Sequence, residues 1–234
     1  MTQIKEGVSL REIINRRKES YEMESGRISF TTPGMANRSL ADYRRGYGLY
    51  HLSDPLGIIE ATIDVNGSAR VLDIGCGTGH ALEDLKKMYG NKVETVGVTA
   101  KKFGNYENVD KVFYGDAQSL QRIDGLPSDY FDFAFSVHAV DYMADPLAFL
   151  KGAYASLREG GVAYLETFLL EPSLVMKLSS FWYRKGYNIT IPWDSALIII
   201  RKKTHPRLKV PVRISGFTDP GLLQSEFDYT FLDL

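Results

Sequence analysis

Apolar and polar positions change rhythm twice along the chain, and each rhythm predicts a different kind of element. Residues 1–66 are polar, with apolar positions at helical spacing: Leu10, Ile13 and Ile14 follow Ser9, a residue type that caps helices. After a Gly/Pro-containing break, "ISFTTPGMANRS", two further helices are predicted over "LADYRRGYGLYHL" and "PLGIIEATI". Between 69 and 168, short apolar runs alternate with helical patterns. "ARVLDI", "KVETVGVT", "DKVFYG", "FDFAFSV" and "VAYLETF" read as strands. "HALEDLKKMY" places Leu82, Leu85, Met88 and Tyr89 on one helical face and ends at Gly90. "DPLAFLKGAYASLREGG" opens with Asp145 as cap and Pro146 at the first helical position, and stops at a glycine pair. Apolar strands separated by helices make parallel βαβ units with helices on both faces.

The last third differs. "EPSLVMKLSSFWYRKG" predicts a helix, then "YNITIPW" and "ALIIIRK" are strands joined only by "DS". That link is too short for a parallel crossover, so the two strands pair antiparallel or not at all. The expected fold is doubly wound α/β: a mostly parallel seven-stranded sheet with a C-terminal antiparallel hairpin and a helical N-terminal cap. Residues 1–66 would form the cap, 67–203 the core and 204–234 a tail.

Composition adds exclusions. At 234 residues and 44% hydrophobic, the chain can bury a full core as one domain. A net charge of -1 gives no global pull towards nucleic acid or an anionic membrane. The single cysteine, Cys76, rules out an intrachain disulfide or a several-thiolate zinc site. The opening residues carry no apolar h-region, and the aliphatic run Ala196 to Ile200 is too short to span a bilayer. The expectation is a soluble cytoplasmic protein with no membrane partner.

The candidate chemistry sits in "VLDIGCGTGHALEDL", where Asp73 stands two residues before the first of Gly75, Gly77 and Gly79. Glycine costs stability inside regular elements, so such a cluster marks a sharp turn or a close approach. The dinucleotide fingerprint needs Gly-x-Gly-x-x-Gly, but position 80 is His80, and the Gly-Lys-Ser/Thr of a P-loop is missing. Asp73 also disfavours a polyphosphate and suits a cationic ligand.

Asp73-Ile74-Gly75-Cys76-Gly77-Thr78-Gly79 resembles the first motif of the class I S-adenosylmethionine-dependent methyltransferases. The resemblance implies S-adenosyl-L-methionine, whose sulfonium and ammonium agree with Asp73. In "VGVTAKK" the family usually places an acid on the ribose hydroxyls; Thr99, followed by Ala100, keeps a hydroxyl but loses the charge-assisted bond. "YGDAQSL" looks like the segment whose acid, here Asp116, accepts from the adenine amine, with Ala117 and Gln118 beside it. "YFDFAFSVHAVDYMADP" is similar to the fourth-strand pattern of type-11-like members, with Ser136 near the strand end and Tyr142 where many relatives carry histidine. "SLREGGVAYLET" matches the "L-x-x-G-G" approach to strand five. The resemblance covers roughly residues 40–203. It implies a cofactor set of Asp73, Gly75, Cys76, Gly77, Gly79, Thr99, Ala100, Asp116, Ala117, Gln118 and Ser136.

The loop after the fourth strand supplies His138, Asp141 and Tyr142 as catalytic candidates. His138 is either a general base of suitable pKa or packing near the cofactor. Asp141 either orients that base or caps the next turn, and Tyr142 either bounds the pocket or joins the core. Tyr43, Tyr47, Tyr50 and His51 lie close together, with the three tyrosines on one helical face. That face is packing, or it stacks on the sulfonium side by cation–π attraction. With Cys76, the sole thiol, inside the cofactor turn and no "NPPY"-type motif, neither cysteine attack on a pyrimidine nor methylation of an adenine or cytosine amine is expected, nor is a metal. The expected activity is methyl transfer by in-line displacement to a small-molecule acceptor. One alternative is RNA or protein modification using Arg184 to Arg213, where eight Lys/Arg residues meet one acid, Asp194; the plain reading of that stripe is a solvated hairpin edge. The other is a non-catalytic interaction protein on the same fold, a reading that Thr99 keeps open.

Overall fold

The computed structural model describes residues 37–48, 54–137, 139–140, 143, 145–166, 188–190 and 197–202. Two helices come first, α1 (Leu40–Gly48) and α2 (Pro55–Asn66). Asp54 caps α2 by accepting from the Leu56 N–H, Pro55 fills its first turn, and Gly67 closes it at φ 79. Then follow β1 (Ala69–Ile74), α3 (His80–Tyr89), β2 (Val93–Thr99), β3 (Lys111–Tyr114), β4 (Phe131–Val137), α4 (Pro146–Ser156), β5 (Leu157–Glu166), β6 (Asn188–Thr190) and β7 (Leu197–Arg201).

These strands form one seven-stranded sheet of order β3-β2-β1-β4-β5-β7-β6. The first five run parallel to one another, and β7 runs antiparallel to both β5 and β6. The mostly parallel sheet with a C-terminal antiparallel pair is the arrangement the sequence predicts. The link between β6 and β7, the helix expected around Leu10 to Ile14, the one expected over "EPSLVMKLSSFWYRKG", and the tail lie outside the described residues.

Period-two alternation splits the core between the two faces. On β1, Leu72 and Ile74 meet Phe149, Leu150 and Ala153 of α4. Val71 points to the opposite face, into a layer with Tyr43 of α1, Leu56 and Ile59 of α2, and Leu82 and Leu85 of α3. Each such burial contributes about 1.5–3 kcal/mol relative to exposure.

Two local expectations are corrected. The helix α4 does not run to the glycine pair but stops at Ser156, whose hydroxyl donates to the Ala153 carbonyl at 2.7 Å. Leu157 instead pairs with Phe131, and both are fully buried, so strand pairing overrides the helical pattern. Gly161 then crosses the Phe131 carbonyl so closely that a Cβ would lie 2.7 Å from it. On α3, Met88 is 53% exposed, and Ala81 joins Leu82 and Leu85 as the buried stripe. The last turn leans on α2 through Tyr89, whose hydroxyl donates to Glu60 at 2.8 Å, which leaves Met88 on the outer side. Among the described residues, no helix is long and apolar enough to cross a membrane, and no His/Cys/Asp/Glu group could hold a metal.

Candidate functional site

Strand order reverses around β1, with β2 on one side and β4 on the other, so the carboxyl ends of β1 and β4 flank a crevice of the kind that binds ligands in open α/β sheets. Beyond β1 the chain turns through Gly75 (φ 90), Gly77 (φ 53) and Gly79 (φ 83), a left-handed region that side chains disfavour. The Gly75 and Cys76 N–H groups both donate to the Val98 carbonyl, at 2.8 and 3.0 Å, tying the turn to β2. Approach is close as well: a Cβ on Gly75 would lie 2.4 Å from that of Ala139, two residues beyond β4.

Asp73, the penultimate residue of β1, is fully buried. One carboxylate oxygen accepts from the Tyr43 hydroxyl at 3.2 Å, and the other has no hydrogen-bond partner among the described residues. Burial pushes this carboxyl well above the usual range, and the Tyr43 bond pulls the other way. An unpaired buried oxygen costs about 1–3 kcal/mol, so the geometry favours a ligand that brings a donor and a positive charge. Ser136 also has an unpartnered oxygen, but alternation from Phe135 turns it to the opposite sheet face from Asp73.

Around this centre each predicted contact has a definite place. Cys76 is buried with its thiol pushed up, first by burial and then by the Asp73 charge. Thr99, at the end of β2, donates its hydroxyl to the Lys101 carbonyl at 3.1 Å. Ala100 beside it is exposed. Asp116 caps the short 3-10 helix Ala117–Arg122, accepting from the Gln118 N–H at 2.9 Å and its side-chain amide at 3.3 Å. Gln118 in turn accepts from the Asp145 N–H at 2.6 Å, joining this corner to the start of α4. Asp116, Gln118, Arg122, Asp145 and Lys151 line a cleft of about 450 Å³, ample for a small ligand.

The glycine turn, Asp73 and Cys76 are thus gathered at one strand end, with Thr99 and Asp116 following the neighbouring β2 and β3. His138, Asp141, Tyr142, Tyr50 and His51 lie outside the described residues, as does the Tyr47 side chain. Tyr43 is buried edge-on against Phe135 at 5.1 Å and anchors α1 to the site. Sequence reasoning missed Tyr106. In the β2–β3 loop at φ 55, its hydroxyl donates to the Gly77 carbonyl at 2.6 Å and accepts from the Phe103 N–H at 3.1 Å. An aromatic in "KKFGNYENVD" gives no signal of such a contact.

A family model described as a methyltransferase domain matches residues 47–198. A tRNA U34 carboxymethyltransferase of Alteromonas mediterranea is 30% identical over 144 residues, 54% of this chain and 43% of that protein. A ubiquinone biosynthesis O-methyltransferase of Xanthomonas oryzae pv. oryzae is 27% identical over 123 residues, 50% of each chain. The chain therefore spans half or less of the length of these curated relatives. Among solved structures, the plantazolicin methyltransferase BamL, held with a desmethyl analog and SAH, superposes with TM-score 0.56 at 12% identity, covering 77% of this chain and 79% of BamL. A Listeria monocytogenes chain described as a class I S-adenosylmethionine-dependent methyltransferase gives TM-score 0.52 at 14% identity, covering 95% of this chain and 79% of that one. These two likenesses concern the fold.

Proposed function

The chain belongs to the class I S-adenosylmethionine-dependent methyltransferases, and from that premise we propose that it binds S-adenosyl-L-methionine at the β1 turn and methylates a small-molecule acceptor. The observation that carries the reading is Asp73: a fully buried carboxylate beside the glycine turn, with one oxygen that meets no donor among the described residues. When bound, the cofactor supplies a methyl group on a sulfonium, which leaves as a neutral thioether.

Each residue then has a role. Asp73 would hold the donor's cationic end, and Gly75, Cys76, Gly77 and Gly79 would let the backbone come close. Thr99 has its proton engaged with the Lys101 carbonyl, so it would meet a ribose hydroxyl as acceptor, with Ala100 alongside. Asp116, Ala117 and Gln118 would bound the adenine, and Ser136, on the sheet face away from Asp73 where Ala117 packs, would belong to that side rather than to the cationic end. His138 would take the proton from an acceptor hydroxyl, oriented by Asp141, with Tyr142 at the pocket wall. Ala139 against Gly75 supports placing that loop over the turn.

A second reading, methylation of RNA, draws support from the tRNA-directed name of one relative and from the basic 184–213 segment. One of those cations is already committed: Lys202 pairs with Asp129 and donates to the Leu157 carbonyl at 2.7 Å. Calorimetry with S-adenosylhomocysteine and methyl transfer from labelled donor to a panel of phenols, amines and bulk tRNA test both. Label in organic-extractable product, lost in His138→Gln, supports the small-molecule reading. Acid-precipitable label transfers the assignment to RNA, and absence of any binding heat overturns the cofactor site.

A further inference from the structure

The β2–β3 loop reaches back over the glycine turn and grips it at two points. Tyr106 donates to the Gly77 carbonyl at 2.6 Å, and its ring occupies the space where a Gly79 Cβ would sit 2.8 Å from Cδ1. Gly104 lies against the Thr78 carbonyl, where its own Cβ would come within 2.8 Å. Among the described residues only Tyr106 and Asp129 are non-glycine residues with positive φ, and a bulky residue holds that conformation only when its surroundings force it. Tyr106 is also 9% exposed and receives the Phe103 N–H, so its hydroxyl is locked from both sides.

We propose that Tyr106 is a positioning residue for the donor site, a strap whose hydroxyl sets the orientation of the Gly77–Thr78 peptide and hence the shape of the turn the donor must enter. The peptide is planar and trans, so capturing the Gly77 oxygen directs the Thr78 N–H to the side away from Tyr106. Without the phenolic donor the Gly77 carbonyl loses a short buried bond and the peptide is released to rotate. The strap links a segment 29 residues further along the chain to the turn, so donor affinity depends on a residue outside the glycine motif. This inference rests on the donor-binding reading above.

The test compares S-adenosylhomocysteine affinity in the natural protein, Tyr106→Phe and Tyr130→Phe, with amide exchange of the ligand-free proteins alongside. Tyr130 is a matched control, since its hydroxyl donates to Glu94 at 2.6 Å, in a hydrogen bond that does not involve the turn. The expected result is a Kd about tenfold higher for Tyr106→Phe, from loss of one hydrogen bond to a buried carbonyl, and an unchanged Kd for Tyr130→Phe. In the ligand-free protein the Gly79 amide, which donates to the Cys76 carbonyl at 2.8 Å, should exchange about tenfold faster in Tyr106→Phe. An unchanged Kd, equal losses in both variants, or unaltered Gly79 exchange overturns the strap. If the natural protein itself fails to bind, the donor reading falls, while the exchange measurement still decides the strap. Should Tyr106→Phe not fold, Gly104→Ala perturbs the strap's second grip, at the Thr78 carbonyl: a weakened Kd together with faster Gly79 exchange supports the proposal, and an unchanged Kd or unchanged exchange rejects it.

Discussion

Asp73→Asn separates the charge of the buried acid from its size. The amide fills the same volume and still accepts from Tyr43, but it cannot ionise. Burial holds the native carboxyl above its ordinary 3.8, against the pull of the Tyr43 bond. Between 3.8 and the native value, the unfolded chain has released the proton that the folded protein retains. Stability contributed by this group is therefore complete below the unfolded value. It falls by about 1.4 kcal/mol per pH unit as pH rises through the window. The variant lacks that slope. For a chain of this size, about 2–4 °C of Tm accompanies each kcal/mol, so the Tm difference, variant minus natural protein, should widen by about 3–6 °C per pH unit. Scanning calorimetry of both ligand-free proteins at a series of pH values upward from 3.8 measures it. With S-adenosylhomocysteine present the order should reverse, because only the natural protein offers an anion to the ligand's ammonium. Parallel ligand-free curves would refute the claim that Asp73 holds its proton in the folded state.

Three further outcomes follow from named contacts. Gly79→Ala forces a Cβ to 2.8 Å from Tyr106 at φ +83 and should lower stability by about 1–3 kcal/mol in urea unfolding. Asp132→Ala strands the Arg70 N–H, which now donates to that carboxylate at 2.7 Å, for a loss of about 1–3 kcal/mol by the same assay. Its ion-pair partners Arg70 and Arg158 are 40% and 35% exposed and simply rehydrate, so the full cost of a broken buried pair is not expected. Asp110 is pushed up by partial burial but pulled below 3.8 by bonds from Lys86 and Thr95, so its contribution is present above 3.8 and lost as pH falls through the lower native value. Asp110→Asn should flatten the acid limb of a stability-against-pH curve below about pH 4, recorded by fluorescence during acid titration.

What the sequence could reveal depended on how local the cause was. Gly75, Gly77 and Gly79 were legible because positive φ selects glycine residue by residue, and all three adopt it. β4 was legible in "FDFAFSV", whose aromatic residues recur at every second position, and α2 was expected over "PLGIIEATI", close to its observed bounds Pro55–Asn66. Ser156 was not legible as a helix end, since the deciding interaction is Leu157 with Phe131 on another strand. Tyr43 and Tyr106 reach Asp73 and Gly77 across 30 and 29 residues, distances over which no periodicity carries information. A tyrosine in a helix reads as packing and one in a loop as surface. Only the folded sheet brings both hydroxyls to the same turn.

The seat of Cys76 has a consequence for handling the protein. Its sulfur fits into the hollow left by Gly97, where a Cβ would be 2.6 Å away, and burial keeps the thiol protonated. Alkylating reagents and peroxides attack the ionised sulfur, so they must wait until the segment lifts off its neighbour. The rate at which this thiol is consumed therefore clocks how often the crevice comes apart, and a tightly held ligand should slow that clock.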